Sequence, residues 1–365
     1  MQGTVRRIAN QGAAVGRRSF LTLPLAAGAA AAGAPRAVID EYDPANLKLA
    51  HRTPWNSSDG ALLFLKQIGL RWVRLEYGSQ DPRVDALRAV QKRFAGFGLG
   101  IQAAVQSAYR SLKIQLGQPG RDQDIEEYQT FLRSLGELGI PVAAYDFHPA
   151  NTYTTAMVER RGYRAREFNL QDFRAKVEKQ RFDREYSAEQ IWDYYTYFVK
   201  AVLPVAEKAG VKMALHPDDP PLAKMNGVAK LFIHYDGYRR AEQIAAGSRA
   251  WGIRLCVGTW AEGGDQMGKD VFEMIRDFGG RGKIYDVDFR NVTAPLPRFV
   301  ETFPDDGYLD MYQVMKALRQ VRFSGSAVPD HVPELAGDTG IRRAGTAYCI
   351  ACMRTLLRRA NEEVG

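Results

Sequence analysis

The sequence predicts one eight-stranded (β/α) barrel, a TIM barrel, carrying an insertion after its fourth strand. Three observations carry this. Short apolar runs alternate with longer amphipathic ones along the chain. Helical runs close on Gly69, Gly98, Gly139 and Gly210, where a left-handed residue ends a helix without a Cβ penalty. No Gly-rich phosphate fingerprint follows the first strand, which disfavours an open dinucleotide-binding sheet.

The predicted strands are 47–51, 72–76, 100–105, 142–147, 212–216, 253–257, 284–289 and 326–329. Helix-period segments cover 59–68, 84–97, 122–138, 188–209 and 270–278, and a last one covers 341–359. Eight strand–helix pairs suggest closure into a barrel. Residues 148–187 interrupt the alternation with a long polar stretch. An insertion there lies over the barrel mouth and reads as a lid. The barrel domain is expected to span 37–365.

Residues 1–36 read as an export signal and linker. The segment GRRSFLTLPLAAGAAAAGA holds a paired Arg17-Arg18 ahead of a modest Ala-rich apolar run. That is the layout of a twin-arginine signal. The run is too short and too weakly apolar for a stable membrane span. The expected destination is the periplasm or the exterior, and the expected partner there is the twin-arginine export machinery, which carries folded proteins.

Bulk composition excludes several classes. Of 365 residues, 45% are hydrophobic and 25% charged, an ordinary globular balance. Three cysteines make no even disulfide framework. Cys349 and Cys352 sit three apart in a helical pattern and read as small packing residues. The formal charge of +8 includes Arg6, Arg7, Arg17 and Arg18 of the leader, and the remainder shows no runs, so no nucleic-acid partner is expected. A homo-oligomer is compatible with the sequence and not required by it.

Chemistry concentrates at the ends of the late strands. The fifth ends at His216 in HPDDPP and the sixth near Cys256 in LCVGTW. The seventh ends near Asp288 in YDVDFRN, and the eighth at Asp330-His331 in PDHVP. In a closed barrel these ends converge on one mouth. An imidazole, a thiolate and two carboxylates suit a borderline first-row divalent ion: manganese, iron or zinc. His51 and His148 end the first and fourth strands and are further mouth candidates, as is Glu262. Asp218 and Asp219 either bind substrate hydroxyls or cap the following turn.

At these residues the sequence resembles the mannonate dehydratase family, in the xylose-isomerase-like barrel group. The resemblance runs from about Leu47 to Leu357. It rests on LGQPGRDQDIEEY, PVAEKAGVKMALHPDDPP, LCVGTW, FVETFPDDGYLDMYQVMKAL and PDHVP. It implies a manganese-type site and loss of water from D-mannonate, giving 2-keto-3-deoxy-D-gluconate. Carried over by position, His216, Cys256 and Asp330 match metal ligands. His331 matches a proton-transfer residue, and Tyr348 matches the family's catalytic tyrosine.

Two positions depart from the family pattern. Asp288 stands where the family has His, and Val328 stands where it has Arg. Asp is an oxygen ligand suited to a harder ion such as manganese. Losing the Arg removes a bidentate carboxylate clamp. Arg290 is the neighbouring cation that would replace it. The expected substrate contacts are therefore Arg290, Asp218 and His148, with His331 and Tyr348 sharing acid and base work. A sugar isomerase or epimerase on the same barrel is the enzymatic alternative. A non-catalytic exported sugar-acid binder is the other, and the two departures motivate it.

Overall fold

The computed structural model describes residues 39–149, 153–338 and 340–364. The expected leader lies outside the described residues.

Eight parallel strands close on themselves. They are Lys48–Pro54, Trp72–Gly78, Gly100–Gln106, Val142–Tyr145, Lys212–Leu215, Trp251–Cys256, Ile284–Asp288 and Ser326–Val328. The first strand pairs with both the second and the eighth, at Ala50↔Trp72 and Lys48↔Ser326, which completes the ring. Every strand starts and stops within three residues of its predicted bounds.

Helices surround the ring because each carries one apolar stripe. One of the two longest, Ala188–Ala209, shows how local chemistry fixes its length. Ser187 and Gln190 form a reciprocal capping box at its start, and Gly210 ends it at φ 69°. Ile191, Tyr195, Phe198 and Val202 line its buried face at helical spacing. Tyr195 also satisfies its hydroxyl in the core, accepting from Trp251 Nε1 at 3.0 Å. No helix among the described residues is long and apolar enough to cross a membrane.

The insertion is more ordered than a polar lid. Ala156–Arg160 and Tyr163–Asn169 form an antiparallel hairpin. Its second strand pairs with Arg298–Thr302, with Phe168 opposite Phe299. Residues Asn291–Val292 extend this into a four-stranded sheet. The physical reason is alternation: Tyr163, Ala165 and Phe168 are buried while Arg164 is exposed. Phe168 stacks on Phe299 with ring centroids 5.6 Å apart. The insertion therefore shares a sheet with the segment after the seventh strand, and that sheet delivers a mouth residue.

Candidate active site at the barrel mouth

Parallel register brings the late strand ends to one level. Cys256 pairs with Asp288, and Asp288 with Val328. His216 follows the fifth strand directly, its backbone N–H bonding to the Tyr145 carbonyl at 2.8 Å. As a result the donor atoms of His216, Cys256 and Asp288 lie within 4.8 Å of one another, all three side chains buried.

This trio fits a divalent cation. His216 Nδ1 bonds the Pro217 carbonyl at 2.7 Å, which assigns the proton there and leaves Nε2 facing Asp288 Oδ2 at 3.3 Å. Cys256 Sγ accepts from Thr259 N–H, the Thr259 hydroxyl and Arg290 Nη2 at 3.4, 3.2 and 3.4 Å. Three donors suit a thiolate better than a thiol. Yet burial pushes the Cys256 thiol up to about 12 despite Arg290. A nearby cation reconciles the two, because it deprotonates a coordinating thiol.

Asp288 is held by more than the trio. Arg254 grips it in a bidentate pair at 2.6 and 3.0 Å, and Arg74 bonds it at 2.7 Å. Burial works against its charged form, but Arg254, Arg74 and His216 prevail and hold the carboxyl well below the usual range. Arg74 also bonds Asp286, which accepts from Ser326. Two arginines and two aspartates thus occupy the barrel interior, where branched apolar side chains usually sit. Period-two spacing places them: Arg74/Glu76, Arg254/Cys256 and Asp286/Asp288 each share one strand face. That alternation of charge within strand-like runs was the available sequence signal for Arg74 and Arg254.

Asp330 departs from the expected four-ligand set. It is not in the 4.8 Å group. Its carboxylate instead faces Arg52 at 3.4 Å, Arg290 at 3.5 Å and His331 at 3.6 Å.

Arg290 is not free to clamp a substrate. It is fully buried and meets Glu262 at 2.5 Å, Asp219 at 2.9 Å, Glu301 at 3.2 Å and Asp330 at 3.5 Å. Its Nη1 and Nη2 are taken up by Glu262, Glu301, Asp219 and Cys256, while Nε, 3.5 Å from Asp330, makes no hydrogen bond. One guanidinium does not balance four acids, and Glu262 records the excess. Burial, then Asp219 and Glu301, lift its carboxyl well above the usual range against Arg290. This surplus of negative charge is a second reason that a cation fits here.

His331 is paired with a carboxylate. Its Nδ1 lies 2.8 Å from Glu301 Oε1, a residue contributed by the insertion's shared sheet. Its backbone sits at φ 48°, a conformation that costs a non-glycine residue energy and recurs at functional sites. Glu301 was not singled out from sequence; its sole signal was its place in FVETFPDD.

Tyr348 is not at this cluster. It is 42% exposed, and its hydroxyl donates to Asp305 at 2.6 Å while its ring packs on Phe303. Its hydroxyl also lies 3.5 Å from Arg161, on the insertion hairpin. The chain has no other tyrosine between Tyr312 and Tyr348. Asp218 is likewise structural. One oxygen accepts the Leu231 and Phe232 N–H groups at 2.9 Å each, and the other faces Lys230 at 3.3 Å. His148 does border the mouth, between Asp146 at 3.6 Å and Asp218 at 3.5 Å.

His51 and His148 give a pH prediction. Burial drives both imidazoles down to about 4, with Arg74 and Arg52 reinforcing it at His51 and Asp146 opposing it at His148. An unfolded imidazole titrates near ~6.5. The folded values are depressed, so this contribution to stability is complete above that pH and is lost as pH falls toward 4. Denaturant titrations at pH 7 and pH 5 should therefore show uptake of about two extra protons on unfolding in the lower range. The double variant H51Q/H148Q should flatten the slope; an unchanged slope contradicts the assignment.

Comparison with known proteins places this mouth in a class and then in a family. The architecture is that of xylose-isomerase-like TIM barrels. An L-ribulose 3-epimerase structure matches with TM-score 0.57 at 14% identity, covering 87% of this chain and 96% of that one, which shows the shared fold alone. The D-mannonate dehydratase (UxuA) family profile matches residues 83–362, and the chain belongs to that family. Mannonate dehydratase 2 of Halalkalibacterium halodurans is 32% identical over 254 residues, 62% of this chain and 72% of that protein. The mannonate dehydratase of Streptococcus suis is 32% identical over 254 residues, 62% of this chain and 68% of that protein. A crystal structure of mannonate dehydratase from Streptococcus suis serotype 2 matches with TM-score 0.76 at 27% identity, covering 86% of this chain and 93% of that one. The family's enzymes are hydro-lyases, and this chain is an enzyme of that class. Its relatives support a sugar-acid dehydratase.

Proposed function

We propose that the protein dehydrates a sugar acid in a metal-dependent reaction, with D-mannonate to 2-keto-3-deoxy-D-gluconate as the reference conversion. The observation that carries this is the gathering of His216, Cys256 and Asp288 donors within 4.8 Å. Those three would hold the cation, and Asp330 would offer a further carboxylate at the same mouth. Manganese suits the mixed donor set with its second oxygen ligand; iron and zinc are the alternatives. When bound, the cation supplies Lewis-acid stabilisation of charge developing on substrate oxygens.

The chain's own residues move the proton. Loss of water removes hydrogen from the carbon next to the carboxylate and a hydroxyl from the carbon beyond. Glu301 accepts from His331 Nδ1–H and so leaves Nε2 as the basic nitrogen. Nε2 takes the proton, and the electron pair of the broken C–H bond forms the new double bond. The resulting imidazolium, held between Glu301 and Asp330, returns the proton to the leaving hydroxyl, which departs as water. The enol product tautomerises to the 2-keto acid. Export by the twin-arginine route remains part of this reading and rests on the leader sequence.

The test is product analysis. Mature protein loaded with manganese and given D-mannonate should yield a 2-keto-3-deoxy acid lighter by one water. A product of unchanged mass would mean isomerisation, and no product from a panel of aldonic acids would defeat the reading. Glu301→Gln should lower kcat by roughly tenfold and shift the pH–rate profile, because the tautomer is no longer fixed by a carboxylate. An unaltered profile would remove Glu301 from the proton path.

A further inference from the structure

A cavity of about 240 Å³ opens at the ends of the third and fourth strands. Its walls include Arg110, Gln115, Asp146, His148 and Arg181. Arg110 ends the short turn Ser107–Arg110 that follows the third strand, and its side chain is 44% exposed. It uses Nε and Nη2 on Asp146, at 3.0 and 2.5 Å, and no described bond engages its Nη1. Arg181 is exposed and comes from the insertion, with Nη1 on the Tyr153 hydroxyl.

One further donor points to a missing acceptor. Gln115 is 1% exposed, and its Nε2 has no hydrogen-bond partner. His148, also in the wall, makes no hydrogen bond at Nδ1, which faces Asp218 Oδ1 at 3.5 Å. Buried donors without partners are costly unless a ligand or water satisfies them. The other mouth cations each already face a buried carboxylate, Arg74, Arg254 and Arg290 in hydrogen-bonded pairs and Lys230 at 3.3 Å from Asp218, although Arg74, Arg290 and Lys230 keep buried donors without a hydrogen bond.

The cavity is placed for the far end of a substrate. His331 follows the eighth strand, while Arg110 and Asp146 follow the third and fourth. In the ring order 1-8-7-6-5-4-3-2, the fourth strand lies opposite the eighth. At roughly 4.8 Å between neighbouring strands, an extended six-carbon chain bridges such a mouth. The reacting carbons then lie by His331, and the last carbon lies by Arg110. Charge decides what that carbon carries. Two guanidiniums against the one Asp146 carboxylate leave a single positive surplus, which matches one carboxylate rather than a phosphate dianion.

We infer that Arg110, Gln115, His148 and Arg181 form a subsite for an anionic remote end, so that the preferred substrate is a sugar diacid rather than an aldonic acid. This rests on the dehydratase reading and narrows its substrate class. It also gives the arginines a role that D-mannonate, with a neutral hydroxymethyl end, leaves unused.

The experiment compares D-mannonate with D-mannarate, which differ only in oxidation of the last carbon. Wild-type kcat/KM should favour D-mannarate by about tenfold or more, the yield of one added charge-assisted contact. Arg110→Met should abolish that preference mainly through KM, and Arg110→Lys should restore part of it. Arg181→Met, at an exposed position, repeats the test if Arg110→Met destabilises the fold. Equal use of both acids by wild type, or a preference that survives both substitutions, overturns the subsite. If neither acid is turned over, the dehydratase reading fails. Calorimetric binding of the two acids then decides the subsite: tighter binding of the diacid, lost in Arg181→Met, supports it, and equal binding overturns it.

Discussion

Cys256→Ser is expected to strip the protein of its metal at stoichiometric supply and to abolish turnover with it. Serine is nearly the same size and keeps an acceptor for the Thr259 N–H, so packing is preserved. What it removes is the anionic donor, because an alcohol does not ionise near neutral pH. Losing a partner outside the ligand shell already costs about 10–100-fold in metal affinity. Loss of a direct ligand should exceed 100-fold, and activity should return in part at large metal excess. Metal content of purified wild type and variant, measured with activity across a manganese titration, reads this directly. A variant that keeps stoichiometric metal and full activity would show that Cys256 is only a helix cap.

Arg290→Met should produce the largest loss of stability. The guanidinium is the shared partner of Asp219, Glu262, Glu301 and Asp330, all buried. Removing one member of a buried ion pair costs about 3–5 kcal/mol, because the charge left behind is uncompensated. Here four acids lose a shared cation at once, although Asp330 keeps Arg52 and Glu301 keeps His331, so Tm should fall by on the order of 10 °C. The sign of the pH dependence is a second check. Without Arg290 the acids' folded pKa values rise above their unfolded ones, so protonation on acidification stabilises the variant relative to wild type. Melting curves at pH 7 and pH 5.5 should show the deficit shrinking at the lower pH. A constant deficit, or none, would contradict the hub.

Much of the fold was legible because barrel strands are short, buried and punctuated. Gly69 and Gly210 stop helices at positive φ, as their positions in the sequence indicated. The hairpin 156–169 was missed because Glu159, Arg160, Arg161, Arg164, Arg166 and Glu167 crowd it with charge, so its alternation looked like a polar loop. At the site, His216, Cys256 and Asp288 were readable because each closes a strand, and parallel register carries strand ends to one level. Asp330 obeyed the same rule in sequence, yet its side chain answers to Arg52 and Arg290, partners no local pattern reveals. Tyr348 failed for a related reason. A helical register match fixes a residue's place along the helix but not the direction its face takes in the barrel. Arg290 illustrates the remaining limit: a nearby cation was visible, and the four acids that consume it come from distant segments.

The gathering of three side chains around one cation is best tested by anomalous diffraction from crystals grown with manganese. One strong peak is predicted within about 2.0–2.4 Å of His216 Nε2, Cys256 Sγ and an Asp288 carboxylate oxygen. A map whose peak lies elsewhere, or which shows none while Asp288 stays locked between Arg74 and Arg254, would contradict it.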